Sequence, residues 1–410
     1  MSQGTRRHPW SVSSARSSPV FWLLAGQLIM FIGISALFPV APLYVAQHCG
    51  NSVAIAAFVG GPLAANMLVQ VPAGRAADRF GRRPLLIGTR LAYAALSVVL
   101  FADAGPLWLL IGVRVLQGAA SGAYVPALMA ALTDLSEPSR RAERFSQQQA
   151  CEMVGLLVGP LLGGVAALWR DSGAFGVAGL AVLIGILPMW RVPETRPARA
   201  AHLTVPAFAW WHNRGLIIAS LGLLAVGTLF AMYDVVWPQF LTARGYGAMI
   251  IGLSISLFAV PVLLLARRAG RLSDRTDRRR LVPAGFIVVA LCAASYPFMR
   301  DIVPLQLVGE VEAAAVVVLE PTLFAVIGES VDEHHRGRAM GIGGFMQFGG
   351  MAFGSFVLGS LYGVNEGIPF WSGSAVMIAA GLLCALALPR RARAAGALEP
   401  QPTVREREAV

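Results

Sequence analysis

The sequence predicts an all-α membrane protein, with twelve transmembrane helices in two pseudo-symmetric six-helix bundles. Three observations predict it. Hydrophobic residues make up 56% of the 410 positions and charged residues 13%, with a mean hydropathy of +0.64. A soluble domain carries about 25% charged residues, so this chain has more apolar surface than a water-exposed globule can hide. Twelve apolar runs are long enough to cross a hydrocarbon core, which at about 30 Å takes about 20 helical residues. The third is a repeat: GRAADRFGRRP at Gly74–Pro84 returns as GRLSDRTDRRR at Gly270–Arg280, 196 residues later, with six of eleven positions identical.

Residues 1–19 are polar and rich in Ser and Arg, and read as a tail. Run 20–46 is too long for the apolar region of a signal peptide and lacks a cleavage site, so it is the first span. Runs 53–74, 85–103, 106–133, 147–169 and 173–190 complete a first bundle over 20–190. Connection 191–214 is polar, contains Pro and is longer than the others, which makes it the boundary; Trp210 and Trp211 are its interfacial anchors. Runs 215–240, 247–267, 281–299, 303–328, 339–363 and 369–389 form a second bundle over 215–389. Segment 390–410 mixes Arg, Glu and Pro with little to bury and reads as a disordered tail. Gly and Pro within the runs are tolerated in spanning helices. A β-barrel would instead alternate in strands of about ten residues.

All 33 basic residues are Arg, and the net charge is +11. They come in short bursts between apolar runs, which fits positive loops facing the cytoplasm rather than nucleic-acid binding. One set of connections holds Arg75, Arg79, Arg82, Arg83, Arg140, Arg141, Arg144, Arg191, Arg196, Arg199 and Arg214, then Arg267 to Arg280, Arg336, Arg338, Arg390, Arg391 and Arg393. The alternate set holds only Arg170, Arg244 and Arg300. That asymmetry places both termini and the 191–214 linker in the cytoplasm, in a multi-pass protein of the plasma membrane. Cys49, Cys151, Cys292 and Cys384 are too scattered for a disulfide framework or a metal site.

The repeat extends past the charged hinges. Sliding by 195 residues places Pro126 on Pro321, Asp134 on Glu329 and Arg141 on Arg336. Paired membrane repeats with a site between them are the architecture of secondary transporters. At this point the chain resembles the major facilitator superfamily. Gly74, Asp78, Arg79, Gly81, Arg82 and Arg83 fill that family's G-x-x-x-D-R-x-G-R-R loop signature. The second copy keeps Gly270, Asp274, Arg275, Arg278 and Arg279, with Asp277 where Gly is usual. RVLQGAASGA (Arg114–Ala123) resembles the family's helix-4 signature. GLLVGPLLGG (Gly155–Gly164) resembles the helix-5 signature of its drug/proton antiporter branch.

Physical reasons stand beside the resemblance. Gly74 and Gly81 permit backbone angles and approaches that a Cβ would block. Asp78 is placed to meet the positive N-terminus of a neighbouring helix, the eleventh, near Ala339. Arg82 is expected to pair with Asp134, and by the repeat Asp274, Arg278 and Glu329 would do the same in the second half, against the start of its fifth helix. Such contacts would latch the halves in one state; the plainer alternative is that the arginines only enforce topology. Gly155, Gly159 and Gly163 line one helix face and admit a close neighbour, while Pro160 bends the same helix and Gly164 closes the signature stretch.

Ionisable residues inside spanning helices are costly and point to function. The first half offers Arg114 and Glu152, expected as partners; the second offers Asp234, Glu310, Glu312 and Glu320. Arg90 is placed to snorkel to the hinge-side interface. Glu312 and Glu320, eight apart, would both border a central cavity, whereas Glu310 points elsewhere. Asp234 is flanked by Tyr233 and Trp237, which suits an organic cation; it also suits a proton site, because loss of water favours the neutral acid. The first helix carries no acid, only Gln27.

These features predict no enzyme: there is no nucleophile elbow, metal cluster or phosphate loop, no cofactor is expected, and no catalytic residue is assigned. The expected function is a proton-coupled exporter of small amphipathic or drug-like molecules that works by alternating access as a monomer. A transporter of one metabolite or lipid in the same fold, in either direction, is the alternative.

Overall fold

The computed structural model describes residues 18–49, 51–137, 140–195, 211, 213–332 and 335–388, without the side chains of Cys49, Ala142 and Asp274. The expected tails (save Ser18 and Pro19), Trp210 and most of the 191–214 linker, and the Asp274 carboxylate therefore lie outside the described residues. All assigned elements are helical. Ten helices are long and apolar enough to cross a membrane, and the shorter Pro19–Ser35 and Gly173–Met189 bring the number to twelve among the described residues.

Numbered in chain order, α1 runs Pro19–Ser35, turns, and continues as Ala41–Cys49. The break falls at Pro39, which has no N–H for the i→i−4 ladder, and Pro42 sits in the first turn of the second piece, where none is needed. α2 is Ser52–Phe80, α3 Arg82–Ala102, α4 Leu107–Asp134, α5 Arg141–Ala167 and α6 Gly173–Met189. α7 spans Arg214–Ala243, interrupted by a π turn at Met232–Val236. α8 is Ala248–Leu257 continued by Ala259–Arg275, α9 Arg278–Ser295 with a 3₁₀ turn, α10 Ile302–Glu329, α11 Arg336–Tyr362 and α12 Ile368–Ala387.

The duplication reaches individual hydrogen bonds. Arg83 Nη2 donates to Trp190 O (2.7 Å), and Arg279 Nη2 donates to Leu386 O (3.2 Å); donor and acceptor are each displaced by 196 positions. At the opposite, or far, end His48 meets Asp103 at 3.1 Å, and 196 positions on Arg244 Nε donates to Met299 O at 3.1 Å. The hinges also pair alike. Arg82 Nε lies 3.3 Å from Asp134, and Arg278 grips Glu329 through both guanidinium nitrogens, one at 2.7 Å.

The one departure in the second hinge has a structural reason. Gly81 links α2 to α3 with φ +102° and ψ 159°, a region essentially reserved for glycine. Its missing Cβ leaves room for Glu194, whose oxygens accept from Arg82 N (2.8 Å) and Arg83 N (3.2 Å). In the second copy Asp277 caps its own helix, accepting from Arg279 N at 3.0 Å, and no glycine is needed. Gly81→Ala is therefore expected to cost about 1–3 kcal/mol of stability, read as a lowered melting temperature in detergent. An unchanged melting temperature would contradict this account of the hinge.

Between the bundles, α2 packs on α11 and α5 on α8. The close approaches lie in the far halves: Ala56 meets Gly359, Gly60 meets Ser355, and Gly164 meets the Ala248–Met249 backbone. Toward the hinge end, a Cβ at Gly270, Gly337, Gly341 or Gly344 would meet nothing within 4 Å. Among these glycines, the closest approaches between the bundles lie in the far halves.

Candidate functional site

Helix α7 organises the site. Pro238 has no N–H to offer the carbonyl of Asp234, so the α ladder fails one turn ahead of it. The chain inserts a π turn over MYDVV, closed by Trp237 N donating to Met232 O. Such turns re-aim side chains and mark functional positions. Here Tyr233 points into the second bundle, and Asp234 comes within Coulombic range of Arg114 in the first.

Tyr233 and Tyr296 both donate to Glu312 Oε2, and their hydroxyls are 3.0 Å apart. Glu312 is 1% exposed, and its other oxygen is buried without a partner among the described residues. It is thus enclosed within the second bundle rather than bordering a central cavity: α10 turns it toward α7 and α9, where two hydroxyls replace water. Trp237 is fully buried against Phe240, Phe258 and Tyr296. Its indole donates to Ser254 (3.1 Å), which donates to Gln306 (2.7 Å), which in turn donates to Glu310 (2.6 Å). The aromatic pair expected to flank Asp234 instead serves Glu312 and the core, because the π turn changes the register between them. Glu320 is half-buried and accepts from Gln347 of α11 at 2.7 Å.

In the first bundle, Arg114 does not pair with Glu152. Its Nη1 donates to Gln117 at 3.0 Å, and Gln117 donates to Ser97 at 2.8 Å. Glu152 is held by Gln27 (3.1 Å) and Gln148 (2.5 Å), and Gln27 accepts from Tyr124 at 2.9 Å. Arg90 does not snorkel. It is 3% exposed and lies 3.5 Å over the Tyr124 ring, within Coulombic range of Glu152. The α3 face carrying Arg90 packs on α4, and the Tyr124 ring supplies the cation–π partner that water would otherwise replace. Gln27, in the acid-free first helix, is 4% exposed and joins this network. Sequence reasoning gave it no role; the available signal was an amide at mid-membrane depth.

The hinge residues pair within their own bundles. Asp78 is 68% exposed and binds Arg82 at 2.8 Å. That ion pair, rather than the start of α11, is its contact here. Arg79 stacks 5.4 Å from Phe80, and Gly74 faces Pro126. The exporter-type stretch of α5 divides its work. Gly155, Gly159 and Gly163 press on α1, while Pro160 and Gly164 meet α8 of the other bundle. No group of metal-ligating side chains occurs among the described residues.

A family model described as Major Facilitator Superfamily matches residues 23–319 and 220–408. The class C tetracycline resistance protein of Escherichia coli is 28% identical over 386 residues, covering 88% of this chain and 94% of that protein. Multidrug resistance protein 2 of Bacillus subtilis is 24% identical, covering 87% and 92%. Among solved structures, a D-xylose-proton symporter superposes with a TM-score of 0.76 at 16% identity, covering 92% and 98%. A bacterial homologue of the human lysosomal transporter Spinster superposes with 0.74 at 16% identity, covering 92% and 96%.

Proposed function

The chain belongs to the Major Facilitator Superfamily and is a multi-pass membrane transporter rather than an enzyme; from that premise we propose that it exports small amphipathic or drug-like molecules in exchange for protons, as a monomer in the plasma membrane. The arginine asymmetry supports a cytoplasmic hinge end and, with it, cytoplasmic termini. The close far-end approaches between the bundles support a state that opens toward the hinge end, where an exporter takes up its cargo. The relatives named for tetracycline and multidrug resistance support the substrate class.

What supports the reading is the placement of Asp234 within Coulombic range of Arg114, one charge from each bundle and too far apart for a salt bridge in this state. Arg114 stays charged, so a proton or an organic cation on Asp234 cancels the attraction between the halves. Moving a two-state equilibrium from 1:99 to 99:1 takes about 5.5 kcal/mol, whereas one coupling supplies about 1–3 kcal/mol. One carboxylate therefore biases the cycle, and Glu152, Glu310, Glu312 and Glu320 are the further groups available to complete it. The test is the wild-type chain in proteoliposomes with an imposed pH gradient and a substrate panel. The expected result is transport of several amphipathic compounds that stops when the gradient is collapsed. Transport of a single metabolite, or transport indifferent to the gradient, would contradict the proposal.

A further inference from the structure

Two cavities of about 580 Å³ each lie at symmetry-equivalent places at the hinge end. Arg83 and Trp190 line the first, and Arg279 and Leu386, each 196 positions later, line the second. Their charge differs. In the first, Glu194 also lines the wall and offsets Arg83 while capping α3. In the second the cap is Asp277, which is not a lining residue, and no carboxylate lines the wall among the described residues. Arg214 does, so two guanidinium groups share one cavity.

The remaining wall is apolar, with Ile217, Ile218 and Leu386 among its residues. Leu386 is 79% exposed, which in a spanning helix is a lipid-facing position. The cavity sits at the first turns of α7 and α9 and the last turn of α12, the level of the headgroups. Arg279 donates one nitrogen to Leu386 O, and its Nε is buried without a partner among the described residues. A planar guanidinium fork matches a phosphate, and the greasy wall matches an acyl chain.

We propose that this cavity binds an anionic phospholipid, with its phosphate between Arg214 and Arg279 and an acyl chain along Ile217, Ile218 and Leu386. The twin cavity, with Glu194 in place of the second cation, does not. The site is independent of the substrate and of the coupling ion.

The test is native mass spectrometry of the full chain released from micelles holding phosphatidylglycerol and phosphatidylcholine in equal amounts. The expected result is preferential retention of phosphatidylglycerol. Arg214→Gln lowers that preference about fivefold, and Arg214→Gln with Arg279→Gln about thirtyfold. Arg279→Lys keeps most of it, and Arg83→Gln in the twin leaves it unchanged. Arg214 is exposed, so its variant reports on binding without disturbing the core. An absent preference, or one insensitive to Arg214→Gln, overturns the proposal. Displacement of the lipid by inorganic phosphate also overturns it, making this a free-anion site. A preference that appears only in a chain ending at Leu388 assigns the cavity to the tail and overturns it as well.

Discussion

Asp234→Asn is expected to reduce proton-driven transport to the level of protein-free liposomes while leaving a folded, monodisperse protein. Asn has nearly the same shape but carries no exchangeable charge. Arg114 would then face a neutral group from the other bundle at every pH, and the attraction that a proton is proposed to release would no longer exist. Asp234→Glu keeps the charge on a longer arm and is expected to retain part of the activity. Transport by Asp234→Asn that still follows an imposed pH gradient would remove this residue from the coupling scheme and leave the enclosed Glu312 or the Gln-held Glu152 as the proton carrier.

The second large effect concerns packing. Gly159→Val places a branched side chain where a Cβ already overlaps Ser35 Oγ and Ile32 O of α1. Overpacking of this kind costs about 1–3 kcal/mol and occasionally more, and α1 cannot withdraw without losing the Ser35 bond to Gly155 O at 2.8 Å. The expected outcome is a sharp loss of folded yield and a lower melting temperature. Gly341→Val is the matched control: a Cβ there meets nothing within 4 Å, so the change should stay within about 0.5 kcal/mol. Equal behaviour of the two variants would mean that the α1–α5 contact is not tight.

How much of this was legible in the residues depends on the kind of signal. The twelve spans follow from run length, a property of the chain alone. The duplicated hinge is legible as a repeat, and the Arg82–Asp134 and Arg278–Glu329 contacts lie where it puts them. Direction within a helix was harder to read. An ideal periodicity places Tyr233 and Trp237 beside Asp234, but Pro238 forces a π turn and the register changes between them. Arg90 illustrates a second limit. Distance from the end of a run suggests that a long side chain reaches water, yet only the fold shows that α4 covers that face and that Tyr124 stands under the guanidinium. Pairing Glu152 with Arg114 by chain order failed for the same reason: amides from α1 and from its own helix reach the carboxylate first.

The central claim is that the two bundles rock about a fixed midplane site, so that one end opens as the other closes. Spin labels at Arg75 and Gly341 report on the hinge end, and labels at Asn51 and Val364 on the far end; all four positions are exposed. Electron–electron distances should be measured for both pairs in lipid, at high and low pH and with a transported compound. The account predicts opposite changes, the hinge-end distance shortening as the far-end distance lengthens. Distances that stay fixed, or that change together in the same direction, would contradict it.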